Sequence, residues 1–249
     1  MGLAILLFGL GAAPGPVLVE LFSSEGCSSC PGAEALLREK SIEDPHLVAL
    51  EFHVDYWNDL GWMDRFSSPA FSDRQSRYAA VRGTGQVFTP EVIVDGRESL
   101  VGSDRAAFAA AVARERQRSK ATLTLHQEGD QLEISGEAVP PGALWIAVTE
   151  SGLETAATRG ENRGRRLVHA PVVRSFRELG PVSSGSLRTK VAVALDPSWT
   201  RKALRIVAAV QNPGSGAILA SGSTEVAPAV CRPCVDGRDS FTIDRKSFR

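Results

Sequence analysis

The stretch that decides the fold is residues 17–38, with the sequence VLVELFSSEGCSSCPGAEALLR. Its first six residues are almost all apolar, and a short apolar run of this kind is typical of a buried strand. Two cysteines, Cys27 and Cys30, follow the run, and residues 33–38 then favour a helix. The stretch therefore predicts a strand that leads to a Cys-x-x-Cys pair at the start of a helix.

This layout indicates thiol redox chemistry. The N-terminus of a helix carries partial positive charge, which favours a thiolate over a thiol. We expect Cys27 to attack a partner disulfide and Cys30 to resolve the mixed disulfide. The hypothesis requires the sulfur of Cys27 to be accessible. Two alternatives remain open: a local structural disulfide, and half of a zinc site completed by the second Cys-x-x-Cys pair, Cys231 and Cys234.

The composition narrows the class of protein. The chain has 249 residues, 43% of them hydrophobic, which is typical of a globular protein. Its 28 Lys and Arg residues nearly balance 29 Asp and Glu residues, so no basic field indicates a nucleic-acid partner. The sequence indicates no cofactor, and it does not determine the oligomeric state.

The N-terminal residues predict export. Residues 3–10 form a short apolar run that ends in small residues, as in the hydrophobic region and cleavage site of a signal peptide. The run is too short to span a bilayer, so no stable membrane insertion is expected. We interpret residues 1–13 as a signal-peptide remnant and expect a periplasmic or secreted protein. An even number of cysteines, four, is consistent with an oxidising compartment.

The order of predicted elements suggests two domains. Up to residue 118 the pattern is β-α-β-α-β-β-α, which resembles the topology of thioredoxin. After residue 119 short alternating strands follow one another without a helical pattern, as in a β-sandwich. We therefore predict an α/β thioredoxin-like domain (14–119), a mainly antiparallel β-sandwich domain (120–229) and a C-terminal tail (230–249) that carries the second Cys-x-x-Cys pair.

Residues near the third strand indicate where a substrate would bind. Pro90 opens that strand, and in thioredoxin-like folds a cis proline at this place lies beside the disulfide. Such a proline leaves the backbone of the preceding residue, here Thr89, free to pair with an extended substrate. Trp57 lies in an aromatic loop after the second strand and is a candidate for the wall of the same site. An ordinary trans proline at the strand start is the alternative.

Longer motifs resemble one family of exported bacterial proteins. Residues 20–31 (ELFSSEGCSSCP), 53–57 (HVDYW), 68–71 (SPAF) and 161–165 (ENRGR) are similar to the domain-of-unknown-function family numbered 1223. The similarity covers nearly the whole chain after the N-terminal run. It implies a thioredoxin-like fold and export.

Two carboxylates lie near the cysteines in the sequence, Glu20 and Glu25. Glu20 is a candidate for proton transfer, provided that a bulge turns it toward the site; otherwise it is a hydrogen-bonded carboxylate at an interface. Glu25 is expected to be exposed, where it would raise the pKa of Cys27. Residues 161–166 predict a solvated turn or a contact between domains.

Three classes of function follow from these residues. The first is an exported thiol–disulfide oxidoreductase whose partners are protein or small-molecule thiols and disulfides. The second is a non-catalytic binding module of the cell envelope with a structural disulfide. The third is a copper- or zinc-handling protein in which His53 and Asp55 join the cysteines as ligands, although this pair is also typical of a strand end. Cys231 and Cys234 are expected to form a second disulfide or to exchange electrons with the first.

Overall fold

The computed structural model describes residues 15–227 of the chain. The predicted signal-peptide remnant and the pair Cys231 and Cys234 lie outside the described residues. Strands dominate the described part, and its last α-helix ends at Arg116. The elements are β1 (Val17–Ser23), α1 (Cys30–Glu43), β2 (Leu47–His53), α2 (Pro69–Val81), β3 (Glu91–Val94), β4 (Glu98–Val101), α3 (Arg105–Arg116), β5 (Ala121–Thr122), β6 (Thr124–Glu128), β7 (Gln131–Val139), β8 (Gly142–Glu150), β9 (Glu154–Ala156), β10 (Arg166–Val168), β11 (Val172–Val182), β12 (Gly185–Ala192), β13 (Leu204–Gln211) and β14 (Ile218–Glu225).

Nine strands form one mixed sheet in the order β4-β3-β1-β2-β11-β8-β13-β14-β5. β1 and β2 are parallel, and β3 pairs antiparallel with β1. The connection between the two halves of the chain is made by β2 and β11, where Val172 lies opposite Glu51. The amide of Glu51 also donates to the carbonyl oxygen of Pro171 at 2.9 Å. A second sheet contains β12, β7 and β6, and a third contains β10 and β9.

The predicted fold class is wrong. The element order β-α-β-α-β-β-α is present in the first half, but its sheet does not end at β2 as a separate α/β thioredoxin-like domain would. Strands of the second half extend the same sheet, so no independent β-sandwich follows. The cause is β11, which lies in a segment rich in Arg, Gly and Ser where the sequence shows no clear strand pattern. An unpaired edge at β2 needs a partner strand, and β11 supplies it.

The turn between β3 and β4 contacts β14 and the residue before β5, although these strands lie at opposite ends of the sheet order. The amide of Ile218, at the start of β14, donates to the carbonyl oxygen of Asp95 at 2.9 Å. Lys120 donates from Nζ to Asp95 Oδ2 at 2.5 Å and to the carbonyl oxygen of Pro16 at 2.7 Å. These contacts tie the turn after β3 to the second half of the chain.

Helices cover both faces of the first half of the sheet. α1 and α3 pack against one face through Leu37, Ala111 and their neighbours, together with Val19 and Leu21 of β1. α2 packs against the other face, where Phe22 stacks with Phe52 at 5.5 Å between ring centroids. Alternate residues of one strand therefore enter two different cores. No helix among residues 15–227 has both the length and the apolar character that crossing a bilayer requires.

Candidate functional site

The two cysteines of the first pair form a disulfide at the start of α1. Cys30 is the first residue of the helix, and its Cα lies 5.5 Å from that of Cys27. Ser28 and Ser29 between them are exposed, but both cysteines have 0% of their surface accessible. The expectation that the sulfur of Cys27 is accessible is therefore wrong for this oxidised form.

A loop from the second half of the chain covers the disulfide. We call residues 157–165, between β9 and β10, the lid loop. Asn162 Nδ2 donates to the carbonyl oxygens of Glu25 and Cys27, at 2.9 Å each, and Asn162 is itself buried. Ser28 donates its backbone N–H to Glu161 Oε2 at 3.1 Å. Of the two predictions for residues 161–166, the contact with the first half is the correct one.

A cluster of buried ionisable side chains lies beside the disulfide. We call it the Glu/His cluster, and its members come from α1, β2 and the segments that flank β1, α2 and β11. Each member is at most 2% exposed. The cluster consists of Glu25, Glu34, Glu51, His53, Asp64 and His169.

The sequence places these residues together through ordinary periodicity. Leu47 and Ala49 of β2 face α1, so Glu51 and His53 at the end of the strand face the same way. Glu34 lies on the buried side of α1, one turn after Cys30. The start of α1 and the carboxyl end of β2 therefore meet, as is usual for sites in sheets with parallel strands.

Two hydrogen bonds orient the histidine of β2 and the glutamate of α1. His53 Nδ1 lies 2.6 Å from Asp64 Oδ2, and that carboxylate also accepts from the amides of Glu25 at 2.8 Å and Phe66 at 2.9 Å. Glu34 Oε1 accepts from the hydroxyl of Ser23 at 2.6 Å. The other polar atom of each side chain faces a charged neighbour: His53 Nε2 lies 3.1 Å from Glu51 Oε1, and Glu34 Oε2 lies 3.3 Å from His169 Nδ1.

His169 completes the cluster from the segment before β11. Its Nδ1 lies 3.3 Å from Glu34 Oε2 and 3.9 Å from Glu51 Oε1. Its Nε2 lies 3.3 Å from the hydroxyl of Thr155 and 3.5 Å from Glu25 Oε1. The second half of the chain therefore contributes a functional group to a site that the first half begins.

The neighbouring carboxylates raise the pKa of both histidines. Burial by itself lowers the pKa of His53, but the charges of Asp64 and Glu51 outweigh burial and hold that pKa well above its usual value. Burial also opposes protonation of His169, while its contact with Glu25 contributes to raising the pKa to about 9. Burial raises the pKa of Glu51. Unless a cation is bound, protons on the histidines and on Glu51 balance the negative charge of the cluster.

The residues predicted to bind substrate lie together near the disulfide. The Thr89–Pro90 peptide bond is cis, as predicted. Trp57 Nε1 donates to Thr89 Oγ1 at 2.9 Å, and a Cβ placed on Gly26 would lie 3.3 Å from the Cβ of Trp57. Trp57 thus contacts both Gly26, which precedes Cys27, and Thr89, which precedes Pro90. Several large apolar side chains of the neighbouring loops are exposed: Tyr56, Leu60, Met63, Val87 and Phe88.

Glu20, the candidate for proton transfer, lies on the other face of the sheet. Its carboxylate accepts from Arg74 Nε at 2.6 Å and Nη2 at 2.8 Å, and from the hydroxyl of Tyr78 at 2.6 Å. Both partners belong to α2, whereas the cysteines belong to α1 on the opposite face. The structure therefore does not bring Glu20 into the Glu/His cluster, and its alternative interpretation as a hydrogen-bonded carboxylate matches these contacts.

Asp55 does not join the predicted metal ligands either. It accepts a short hydrogen bond from the hydroxyl of Ser72 on α2. The sulfurs of Cys27 and Cys30 are bonded to each other, so neither is a free thiolate in this form. His53 has Asp64, not Asp55, as its carboxylate partner.

Sequence reasoning missed four members of the cluster and misjudged the exposure of a fifth, Glu25. Glu51 interrupts an otherwise apolar strand, and Glu34 lies among the buried residues of α1, so both carried a readable signal. Glu25 was predicted to be exposed but is buried. Asp64 and His169 lie in irregular segments, where no period shows which way a side chain points.

The comparisons with known proteins place the chain in a family and in a fold. Residues 18–211 match the family described as "Protein of unknown function (DUF1223)". An X-ray crystal structure of protein AGR_C_4864 from Agrobacterium tumefaciens is 26% identical, with a TM-score of 0.70. That match covers 87% of this chain and 97% of the other. No protein of curated function matches the chain.

Two further solved structures resemble parts of the chain. OgpA from Akkermansia muciniphila is 16% identical at a TM-score of 0.26, and the match covers 42% of this chain and 26% of the other. A domain of the outer membrane lipoprotein Omp28 from Porphyromonas gingivalis is 12% identical at a TM-score of 0.25, covering 44% and 98%. Scores this low support no argument about fold or function.

Proposed function

The chain belongs to the DUF1223 family, and we propose that this member catalyses thiol–disulfide exchange through Cys27 and Cys30. The observation that supports the proposal is the disulfide between Cys27 and Cys30 at the N-terminus of α1. The partners we propose are protein or small-molecule thiols and disulfides in the periplasm or outside the cell.

The reaction exchanges one disulfide for another. In the reducing direction the thiolate of Cys27 attacks a sulfur of the substrate disulfide, forms a mixed disulfide and releases one substrate thiolate. The thiolate of Cys30 then attacks Cys27 Sγ, restores the Cys27–Cys30 bond and releases the second substrate thiolate. The two electrons that reduce the substrate come from the enzyme's dithiol. The oxidising direction is the reverse sequence.

The helix and the nearby acids act on the thiolates in opposite directions. The N-terminus of α1 favours negative charge on sulfur. The buried carboxylates Glu25 and Glu34 oppose it, because like charges raise the pKa of a neighbouring thiol. We therefore propose a mild oxidant or reductant for this protein, not a strongly oxidising one.

Access to the disulfide requires the lid loop to move. The side chains of Asn162 and Glu161 hold Ser28 and Cys27 by hydrogen bonds, which open and close far more readily than a packed apolar core. Once the lid loop is open, an extended substrate is proposed to bind along Trp57, Thr89 and Pro90, beside the exposed apolar side chains.

The reduction of insulin tests the proposal directly. With a thiol reductant present, wild-type protein is expected to accelerate insulin reduction, and Cys27→Ser is expected to lose that acceleration. A Cys30→Ala variant is expected to accumulate a mixed disulfide, because the resolving thiol is absent. Equal rates for wild type and Cys27→Ser would overturn the enzyme assignment.

The burial of both cysteines favours a second candidate, a binding module in which the disulfide is only structural. The reduction potential distinguishes the two. A structural bridge is expected below about −300 mV, whereas an exchanging bridge has a clearly higher potential. Equilibration of the purified protein with glutathione redox buffers measures this potential.

A further inference from the structure

We propose that the Glu/His cluster binds one divalent transition-metal ion, with Zn²⁺ as the best match, through Glu51, His53, His169 and Glu34. Two imidazoles with carboxylates form a ligand set that zinc uses in proteins. The site contains no sulfur, so it differs from the cysteine-based metal site considered from the sequence. It is also available while the Cys27–Cys30 disulfide is intact.

The donor atoms lie close enough together to bind one metal ion, although the 3.9 Å between Glu51 Oε1 and His169 Nδ1 requires a small movement of the side chains. Glu51, His53 and His169 each offer one ligand atom, and these atoms all lie within 4.8 Å of one another. Glu51 Oε1 lies 3.1 Å from His53 Nε2, and Glu34 Oε2 lies 3.3 Å from His169 Nδ1. Bond lengths of about 2.0–2.2 Å in a tetrahedral zinc site place neighbouring ligand atoms about 3.3–3.6 Å apart.

Three of the four ligands are oriented through the polar atom that would not bind the metal, and the fourth, Glu51, is part of β2. His53 Nδ1 is bonded to Asp64, the carboxylate–histidine arrangement that orients a metal-binding imidazole. Glu34 Oε1 is bonded to Ser23, and His169 Nε2 lies next to Thr155. These partners fix which atom of each side chain remains for the metal.

The remaining atoms are the ones without hydrogen bonds. Within the described part of the chain, Glu34 Oε2, both oxygens of Glu51, His53 Nε2 and His169 Nδ1 are buried and make no hydrogen bond of good geometry, although two histidine–glutamate pairs among them lie 3.1 and 3.3 Å apart. Buried polar atoms are nearly always satisfied, so several orphaned acceptors pointing at one place need an explanation. One bound cation would coordinate four of these atoms, one from each of the four side chains.

The charge of the cluster leads to the same conclusion. Four carboxylates, of Glu25, Glu34, Glu51 and Asp64, are buried there, and among residues 15–227 no Lys or Arg forms an ion pair with any of them. Buried charges that are not compensated are costly. Either protons held by the histidines and carboxylates or a bound dication must balance this negative charge, and a dication would also occupy the lone pairs that lack hydrogen bonds.

Metal binding by the disulfide-bonded protein tests the proposal. Protein freed of metal with a chelator, under oxidising conditions, is titrated with Zn²⁺ and followed by calorimetry and thermal unfolding. We expect one equivalent bound and a rise in Tm that increases with Zn²⁺ concentration. Because the cysteines remain bonded, the result does not depend on redox activity. Absence of stoichiometric binding would overturn the proposal and would indicate protonated histidines instead.

The four histidines of the chain provide matched variants. We expect Glu51→Gln and His169→Gln to weaken Zn²⁺ binding more than about 100-fold and Asp64→Asn to weaken it about 10–100-fold. The double variant His46→Gln/His126→Gln removes both exposed histidines and is expected to bind as wild type does. Loss of binding only in that double variant would contradict the site.

A spectroscopic measurement covers the case in which a cluster variant fails to fold. Wild-type protein loaded with Co²⁺ is expected to show the intense visible bands of a tetrahedral site with nitrogen and oxygen ligands, without thiolate charge-transfer bands. Bands characteristic of thiolate ligation, or of an octahedral ion in water, would overturn the assignment.

Discussion

Asn162 donates from its side-chain amide to the backbone carbonyl oxygen of Cys27 at 2.9 Å, across 135 positions of the chain. A residue of the second half thus holds the lid loop over a disulfide that the first half forms. We therefore expect the access of a reductant to the disulfide to depend on how often this hydrogen bond opens.

The first prediction concerns Asn162→Ala. The variant loses the bonds to both Glu25 and Cys27, a loss of about 1–3 kcal/mol of closure free energy, so the population of the open lid loop rises about 5–150-fold. We expect reduction of the Cys27–Cys30 bond by dithiothreitol to accelerate by a similar factor. Arg163→Ala, an exposed change in the same loop, serves as the control and is expected to react as wild type does. Equal rates for both variants would contradict the role of the lid loop.

The second prediction concerns the buried pair of Glu20 and Arg74. Glu20→Gln leaves a buried guanidinium without its counter-charge, so we expect a loss of about 3–5 kcal/mol in the free energy of unfolding. The matched change Glu178→Gln acts on an exposed pair with Arg77, where we expect a loss of about 0–1 kcal/mol. Chemical denaturation measures both. A similar small loss in the two variants would show that the Glu20–Arg74 pair is not buried as described.

The third prediction tests the contact that joins the turn after β3 to the second half. Gly96 has φ +68°, and a Cβ on it would lie 1.9 Å from the carbonyl oxygen of Gly216. Gly96→Ala is expected to lower the free energy of unfolding by more than about 3 kcal/mol, because strain and a backbone clash act together. Gly85→Ala has φ +59° and open space around it, so we expect about 1–2 kcal/mol. Equal losses in the two variants would show that Gly96 does not contact Gly216 in solution.

The fourth prediction concerns alkaline pH. Tyr56 is 41% exposed, but partial burial of its phenol raises its pKa to about 12, whereas an unfolded chain ionises its tyrosines near pH 10.0. The folded state therefore keeps a proton that the unfolded state loses, and this stabilisation is full below pH 10 and is lost as pH rises toward 12. Phenolate absorbance of the native protein is expected to appear only above pH 10. Tyr56→Phe assigns the signal, and phenolate formation by Tyr56 at its ordinary pH would contradict the described burial.

Local patterns predicted local structure well. The apolar run before Cys27, the Asp-Gly turn at Asp95 and the cap residue Asp104 all lie where the sequence indicated. The alternation of side chains along β2 also predicts that Glu51 and His53 lie on the same face of the sheet as Leu47 and Ala49. Hydrophobic period, turn residues and caps act over a few positions, so they can be read without knowing the rest of the fold.

The pairing of β2 with β11 could not be read in this way. β11 carries Arg174, Arg177 and Glu178 and is only partly buried, so its residues do not show the apolar alternation of a core strand. Its place in the sheet depends on the edge that β2 exposes, more than a hundred residues earlier. For the same reason the sequence predicted a separate β-sandwich domain where one continuous sheet exists.

The sequence by itself determined the first strand, the cysteine pair at the start of α1 and the family to which the chain belongs, because these features depend on neighbours in the chain. Only the tertiary structure decided that the disulfide is covered and that Glu34, Glu51, His53 and His169 meet beside it. His169 precedes β11 and reaches the cluster because β11 pairs with β2. Contacts between residues so far apart in the chain depend on strand pairing and burial, and no local sequence pattern indicates them.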